Sequence, residues 1–179
     1  MTTPDTSHCT AQTTISTPLG DMLLARTATG LAGIWFAGQK HHPDPISAPQ
    51  RPDDALLRRA ADQLRAYFAG ESLDFDVPLD LHGTPFQRAV WQALVEIPAG
   101  ATRTYGEIAA ALGSPSAVRA VGGAVGRNPV TLIVPCHRVI GSDGSLTGYA
   151  GGVERKRALL TIERVLDPQL DGVAAELAA

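Results

Sequence analysis

The hydrophobic pattern of the chain changes near residue 82. Before that point, residues 11–36 consist of three short apolar runs separated by Gly-containing turns, which predicts a small antiparallel sheet. Residues 53–69 then carry apolar side chains at helical spacing, which predicts an amphipathic helix that covers the sheet. Residues 75–81 alternate around a proline, so the pattern indicates either an edge strand or an extended linker.

The remainder of the chain is predicted to be mainly helical. Thr84 with Gln87, and Thr104 with Glu107, have the spacing of capping boxes and predict that a helix begins after each threonine. The first of these helices carries its apolar residues on one face, which we expect to be buried. They are Phe86, Val90, Trp91, Leu94 and Ile97.

The second and third helices of this half follow each other closely. Ser114, ahead of Pro115, is predicted to cap a third helix that runs to residue 126. A tight Gly-Ser-Pro turn between two short helices is the outline of a helix-turn-helix, although the same turn joins many helix pairs that do not bind DNA. A last helix is predicted over residues 153–165.

These elements together predict a mixed α/β (α+β) fold in two parts. We expect residues 1–10 to be a flexible leader and residues 11–82 to form an N-terminal α/β domain. Residues 83–166 are expected to form a C-terminal helical domain. Residues 167–179 are expected to be a tail, either disordered or helical.

The charge of the chain is distributed unevenly. The net charge of −3 argues at first against a nucleic-acid partner, because phosphate binding relies on Lys and Arg. However, residues 84–164 hold nine Lys or Arg against five acidic residues, a net of +4, while the remainder carries −7. Only the C-terminal half therefore suits a polyanion, and the same distribution is also usual for an ordinary solvated surface.

Location, metal and cofactor follow from what the sequence lacks. No run approaches the roughly 20 apolar residues of a membrane span, and the first residues do not resemble a secretion signal, so we expect a cytoplasmic protein that binds no membrane. His8, Cys9, His41 and His42 do not have the spacing of metal ligands, and no cofactor-binding loop is evident. We therefore expect neither a metal nor a cofactor.

The second cysteine, Cys136, lies where chemistry is expected. It follows the apolar run 131–134, which we predict to be a strand, and it precedes His137. Sulfur attacks as the thiolate, and imidazole is the usual group that removes its proton. Glu163 is either a solvated helical residue or the carboxylate that orients such a histidine. An inert buried cysteine, a thiol hydrolase and a non-catalytic DNA-binding protein remain alternatives at this point.

Three segments carry a resemblance to a known family. Residues 104–109 (TYGEIA), 119–129 (RAVGGAVGRNP) and 133–163, which contains Pro-Cys-His-Arg-Val, are similar to the methylated-DNA–protein-cysteine methyltransferases, the O6-alkylguanine-DNA alkyltransferases. The resemblance covers most of residues 12–165 and is densest over 84–163. It implies an RNase H-like N-terminal domain and a winged helix-turn-helix-like C-terminal domain.

The resemblance also implies a reaction and its residues. Cys136 would accept the alkyl group, His137 would act through a bound water as its base, and Glu163 would orient that histidine. Tyr105 would donate to the departing guanine, and Asn128 would hold the cysteine segment against the third helix. Because a thioether has no easy route back to a thiol, each molecule would act once, in DNA repair by direct damage reversal.

The implied partner is double-stranded DNA that contains O6-alkylguanine, contacted through the minor groove. The target nucleotide must leave the stack, and Arg119 matches the arginine that the family inserts in its place. Small residues on the same helix would let the DNA approach closely. The residues expected at this interface are Thr104, Arg119, Ala120, Gly122, Gly123, Ala124 and Arg127.

The resemblance further implies a pocket for the flipped base. Its expected residues are Pro135, Val139, Thr147, Tyr149 and Ala150. O4-alkylthymine is expected as a minor substrate, and the protein is expected to be a monomer with cooperative assembly on DNA left open. Related lesion-recognition proteins replace the acceptor cysteine, whereas this sequence keeps Cys136.

Overall fold

A computed structural model describes residues 4–167. Its N-terminal part is a three-stranded antiparallel sheet in the order β1 (Ala11–Ile15), β2 (Met22–Arg26) and β3 (Leu31–Phe36). Helix α1 (Ala55–Phe68) packs against β1 and β2, as the apolar spacing predicts. The tail expected over residues 167–179 lies outside the described residues except for Asp167.

The ends of α1 and its buried face follow from the sequence. The Asp54 carboxylate accepts hydrogen bonds from the backbone N–H groups of Leu56 and Leu57, which satisfies two donors that the first helical turn leaves unpaired. One face of α1 is buried against the sheet. Its members are Leu57, Ala60, Ala61, Leu64 and Tyr67.

Of the two alternatives for residues 75–81, the extended linker is correct. The segment pairs with β3 only at Leu31, whose N–H donates to the Pro78 carbonyl at 2.8 Å and whose carbonyl accepts from Asp80 at 2.9 Å. Pro78 has no N–H to continue a ladder, which explains why pairing stops here.

The helices after the linker begin where the capping boxes predict. They are α2 (Pro85–Val95) and α3 (Tyr105–Ala111), and both reciprocal boxes form. The prediction for Phe86 is wrong: this side chain is 37% exposed, because it lies in the first turn on the solvent side of α2. The Trp91 indole, by contrast, is buried and donates to the Ala124 carbonyl at 2.9 Å.

The third and last helices differ from their predicted ends. A 3-10 turn (Pro115–Ala117) precedes α4 (Val118–Gly126), so the Ser114 side chain makes no capping hydrogen bond and that prediction is wrong. Helix α5 (Val153–Ile162) ends three residues earlier than predicted. Arg164 follows with φ of 59°, a left-handed conformation that ends a helix.

The apolar run 131–134 is a tight turn, and the prediction of a strand is wrong. Leu132 has φ of 80°, and the N–H of Val134 donates back to the Val130 carbonyl at 2.9 Å. These residues are apolar because the turn packs into the core, where Val130 forms an isolated β-bridge with Ile34 of β3. One continuous hydrophobic core therefore includes side chains from both halves of the chain.

A short parallel pair of strands brings distant parts of the second half together. Strand β4 (Arg103–Thr104) pairs with β5 (Val139–Ile140). Because β4 leads directly into α3 and β5 directly follows residue 138, this pair sets the start of α3 beside the Cys136 turn. Within residues 4–167, no helix combines the length and the apolar character that a membrane crossing requires.

Candidate active site

Cys136 begins a buried 3-10 turn (Cys136–Arg138) and is held there by an amide. The Asn128 side chain, just after α4, donates to Sγ of Cys136 at 3.0 Å and to the Val134 carbonyl at 2.7 Å. Its Oδ1 accepts from the N–H of Val130 at 3.0 Å. One side chain therefore holds both ends of the 131–134 turn and the thiol of Cys136.

The next residue, His137, is paired with Glu163. Nε2 of His137 lies 2.8 Å from Oε1 of Glu163, and both side chains are fully buried. A carboxylate acceptor at this distance favours the tautomer that carries its proton on Nε2. Nδ1 is then the basic atom, and it is buried without a hydrogen-bond partner among the described residues.

The Glu163 carboxylate accepts further hydrogen bonds. The Arg138 guanidinium contacts both carboxylate oxygens, at 2.8 and 2.9 Å, and the Tyr67 hydroxyl donates to Oε1 at 2.8 Å. Tyr67 belongs to α1, so the N-terminal half contributes directly to this buried cluster. A carboxylate with this many donors is fixed in position and orients the imidazole beside it.

Burial and contacts set the protonation states of the cluster. Burial raises the pKa of the Glu163 carboxyl, but His137 and Arg138 outweigh it and hold that pKa at about 2. Burial lowers the pKa of the His137 imidazole, which Glu163 only partly offsets. Burial also raises the pKa of the Cys136 thiol. At neutral pH the site therefore combines a thiol, a neutral imidazole and a carboxylate.

A buried lysine faces the same thiol. Nζ of Lys156 donates to the carbonyls of Val139 and of Thr147, the latter at 2.9 Å. Burial lowers the pKa of Lys156 to about 8, and the charge of Cys136 acts in the opposite direction. The ammonium in turn lowers the pKa of Cys136, so it favours the thiolate.

The Tyr105 hydroxyl lies beside the loop that follows β5. It donates to the Thr147 carbonyl at 3.1 Å, and a Cβ on Gly148 would come within 2.5 Å of it. Burial, followed by the charge of Cys136, raises the pKa of Tyr105, so the phenol keeps its proton at neutral pH. Thr104, one residue earlier, uses its hydroxyl in the capping box with Glu107.

The outer face of α4 is open and has small side chains. Arg119 and Ala120 are exposed on it, and Gly122 and Gly123 follow one turn later. Ala124 does not belong to this face, contrary to the prediction: it is 3% exposed and packs in the core, where its carbonyl receives the Trp91 indole.

A cavity of about 440 Å³ lies between α4 and the loop after β5. The α4 side is formed by glycines and Arg127, and the loop side by Gly148, Tyr149 and Ala150. Arg127 is exposed, and its guanidinium donates to the Gly123 carbonyl at 3.0 Å. The structure therefore places two of the predicted pocket residues against the predicted DNA-contacting helix.

Two further predicted pocket residues, Pro135 and Val139, lie closer to the cysteine. Pro135 and Val139 are buried on either side of the Cys136 turn, and the Val139 N–H donates to the Cys136 carbonyl. The N–H of Ala150 makes no hydrogen bond within residues 4–167, so it is available to a ligand. The Tyr149 hydroxyl is buried and likewise has no partner among those residues.

Several residues of the site were not predicted from the sequence. Arg138 follows His137 directly, so its basic character was a signal. Lys156 is a charged residue on the buried stripe of α5, three and four positions before Leu159 and Leu160. Tyr67 gave no such signal, because its partner Glu163 is 96 residues away.

Among the described residues, no group of three or more His, Cys, Asp or Glu side chains is arranged to hold a metal ion.

Comparison with known proteins connects this geometry to a family. Residues 85–165 match the DNA binding domain of 6-O-methylguanine DNA methyltransferase, and residues 11–81 match its ribonuclease-like domain. A methylated-DNA–protein-cysteine methyltransferase of Mycobacterium tuberculosis (strain ATCC 25618 / H37Rv) is 52% identical over 155 residues, covering 87% of this chain and 93% of the relative. The constitutive enzyme of that name from Bacillus subtilis (strain 168) is 47% identical and covers 86% and 94%.

Solved structures agree with this relationship and confirm the predicted mixed α/β fold. The crystal structure of Mycobacterium tuberculosis OGT in complex with DNA matches with a TM-score of 0.81 at 50% identity, over 86% of this chain and 92% of that chain. The O6-methylguanine methyltransferase of the same organism matches with a TM-score of 0.76 at 48% identity, over 89% and 98%. On sequence and fold together, the chain belongs to the 6-O-methylguanine DNA methyltransferase family.

Proposed function

We propose that this protein repairs DNA by direct damage reversal, moving the alkyl group of O6-alkylguanine in duplex DNA onto Sγ of Cys136. The observation that carries the proposal is the fully buried His137–Glu163 pair at 2.8 Å, with Nδ1 of that histidine unpartnered and Cys136 next to it in the chain. Membership of a methyltransferase family supports the same reaction.

The first step is access to the damaged base. O6 of guanine is stacked inside the duplex, so the nucleotide must turn out, at a cost of roughly a few kcal/mol. The small outer face of α4 lets the minor groove approach the backbone, and exposed Arg119 fills the space that the nucleotide leaves. Thr104, Ala120, Gly122, Gly123 and Arg127 complete this interface.

The second step is activation of the thiol. Nδ1 of His137, through one water, takes the proton of Cys136, and Glu163 stabilises the imidazolium that forms. The Asn128 amide and the Lys156 ammonium stabilise the thiolate. The thiolate is formed only when it is needed, because burial otherwise keeps the sulfur protonated.

The third step is displacement. The sulfur lone pair forms the S–C bond while the C–O bond breaks, and its electron pair moves onto the guanine. Tyr105 donates its phenolic proton to the departing base, which requires the hydroxyl to leave the Thr147 carbonyl that it now contacts. The Ala150 N–H and the pocket residues Pro135, Val139, Thr147 and Tyr149 hold the base during this step.

The product limits the protein to one reaction. A thioether is not cleaved by the groups present, and the only other cysteine of the chain, Cys9, is half-buried elsewhere in the fold. The protein is therefore a stoichiometric acceptor that needs no cofactor. A single copy suffices for the chemistry, so we include a monomer in the proposal, and the need for a free thiol suits the reducing cytoplasm.

The test is the intact mass of the protein before and after incubation with duplex DNA that contains one O6-methylguanine. We expect a gain of one methylene mass, about one group per molecule, and no gain in Cys136→Ala. Tight lesion binding without any gain would identify a non-catalytic recognition protein instead. The proposal would be overturned if the protein showed no mass gain and also did not bind the lesion. Repeated turnover of a small substrate would instead indicate a thiol hydrolase.

A further inference from the structure

The cavity beside α4 has a wall that the N-terminal half supplies. Lys40 and His41, in the loop after β3, line it together with Arg127 at the end of α4. The remaining lining residues are three glycines of α4 and residues 148–150. No acidic side chain is among them, so all the charge on this wall is basic.

The loop after β3 is held against the loop after β5. The backbone N–H of Lys40 donates to the Ala150 carbonyl at 2.9 Å, which ties this loop to the loop after β5. His41 has φ of 60°, a left-handed conformation that non-glycine residues rarely adopt and that persists only where the surroundings fix it. The backbone of Lys40 is therefore fixed beside Ala150.

The three basic groups are close enough to influence one another. Burial, then the charges of Arg127 and Lys40, lowers the pKa of His41. The Lys40 ammonium makes no hydrogen bond or ion pair within residues 4–167, and its side chain is exposed. With its pKa lowered, His41 is neutral at neutral pH and can donate or accept a hydrogen bond. The charges of Lys40 and Arg127 on this concave surface create a positive potential that attracts a polyanion.

From this arrangement we infer that Lys40 and His41, with Arg127, form a phosphate site that holds the lesion strand beside the flipped nucleotide. The inference rests on the proposed function, and it extends the DNA interface from the C-terminal half to the N-terminal half. A nucleic-acid phosphate is the occupant because the cavity joins α4 to Tyr149 and Ala150, the two surfaces between which the strand must pass.

The first test is the salt dependence of binding to a duplex with one O6-methylguanine. Lys40→Ala should raise Kd about two- to fivefold near 0.1 M salt and reduce the slope of log K against log salt by about 0.9, the value for one lost phosphate contact. Lys40→Arg should keep the slope. The matched control is Arg51→Ala, which removes an exposed charge of the same half outside the cavity and should change neither quantity.

The second test locates the phosphate. Single linkages on either side of the lesion are replaced with uncharged methylphosphonates, one duplex at a time. At one linkage next to the lesion, the losses of binding free energy caused by the methylphosphonate and by Lys40→Ala should not add. At every other linkage the two losses should add. An unchanged salt slope in Lys40→Ala, or additive losses at all linkages, would overturn the inference.

The intact mass of the same samples separates this inference from the proposed function. Wild-type protein and Lys40→Ala should both gain one methylene mass at saturating DNA, because Lys40 takes no part in the chemistry. If both gain it and the salt slope is unchanged, the phosphate site alone is wrong. If the wild type gains nothing, the proposed function is wrong, and the salt slope of binding to the lesion duplex still reports the phosphate contact.

Discussion

The cysteine cluster and the outer face of α4 are neighbours with opposite construction. Around Cys136, polar groups are buried and nearly all are paired: Asn128 holds the thiol, and Glu163 accepts from three different side chains. On α4, Arg119 is exposed, and the adjacent glycines leave the backbone open. The protein alone therefore fixes the groups proposed for chemistry, whereas the proposed recognition surface would acquire its partners only when DNA binds.

This contrast predicts different costs for substitutions in the two regions. Removing a member of the buried cluster leaves charges unpaired in the core, so stability and transfer should fall together. Removing a group from the α4 face leaves the free protein nearly unchanged, so only events on DNA should suffer.

The largest effect is expected for Glu163→Ala. Arg138 would become an uncompensated buried charge, which typically costs about 3–5 kcal/mol, and His137 would lose its orienting partner. Transfer to DNA should fall more than about 100-fold. Thermal unfolding and single-turnover transfer are the measurements, and Glu163→Gln, which retains the shape, should recover part of the stability but little of the rate. Wild-type stability in Glu163→Ala would remove the basis of the comparison.

A smaller loss of stability is expected in acid. The pKa of Glu163 is about 2 in the folded protein against an ordinary 4.5, so its ionised form stabilises the fold above about pH 4.5. That contribution, on the order of 3 kcal/mol, should be lost as the pH falls toward 2. Denaturant unfolding between these pH values measures it.

Glu163→Gln is the control for this pH dependence. It removes one titrating carboxyl and leaves the others, including Asp80, whose pKa is also about 2. The variant should therefore lose less stability over the same pH range than the wild type. Equal losses in the two proteins would show that Glu163 does not titrate as described.

For Arg119→Ala we expect an effect on DNA alone. Without a side chain to occupy the stack, transfer from duplex DNA should fall about ten- to 100-fold. In free energy, this loss is a fraction of the cost of flipping the nucleotide. The free energy of unfolding should stay within about 0.5 kcal/mol, because Arg119 is exposed. Transfer from a mismatched lesion, which is already poorly stacked, should suffer less. Arg88→Ala, on the exposed side of α2, is the matched control.

The smallest effect, and one of opposite sign in the free protein, is expected for Gly122→Ala. The nearest atoms to an added Cβ are those of the Tyr105 ring, at 3.9 Å, so the methyl group fits. Helix propensity should then stabilise the free protein by about 0.5–1 kcal/mol. Binding to DNA should weaken, since the methyl group occupies the face that approaches the groove. Tighter binding would contradict the role given to this face.

The sequence predicts the local elements of both regions better than their long-range contacts. The three strands, α1 and both capping boxes depend on neighbouring residues, and all are found in the structure. The strand predicted at 131–134 is a turn, because an apolar run has the same pattern whether its residues are buried in a turn or in a β-sheet. Ser114 failed as a cap because the 3-10 turn moved the start of α4.

The site shows the same limit. Their adjacency in the chain already makes Cys136 and His137 a candidate pair, whereas only the family resemblance decides for Glu163, since spacing alone does not bring a residue of the last helical segment to His137. Tyr67 joins them only because its hydroxyl reaches Glu163 from α1, a contact that depends on the whole fold. Lys40 lines the cavity beside Ala150, to whose carbonyl its N–H donates, and this contact between distant parts of the chain has no local sequence pattern.

The most direct measurement is peptide mapping by mass spectrometry after a single-turnover reaction with duplex DNA that carries one labelled O6-methylguanine. We expect the label on the peptide that contains Cys136, at one group per molecule, with unmodified guanine left in the DNA. Label on Cys9, label on no residue while the lesion disappears, or more than one lesion repaired per molecule would contradict it.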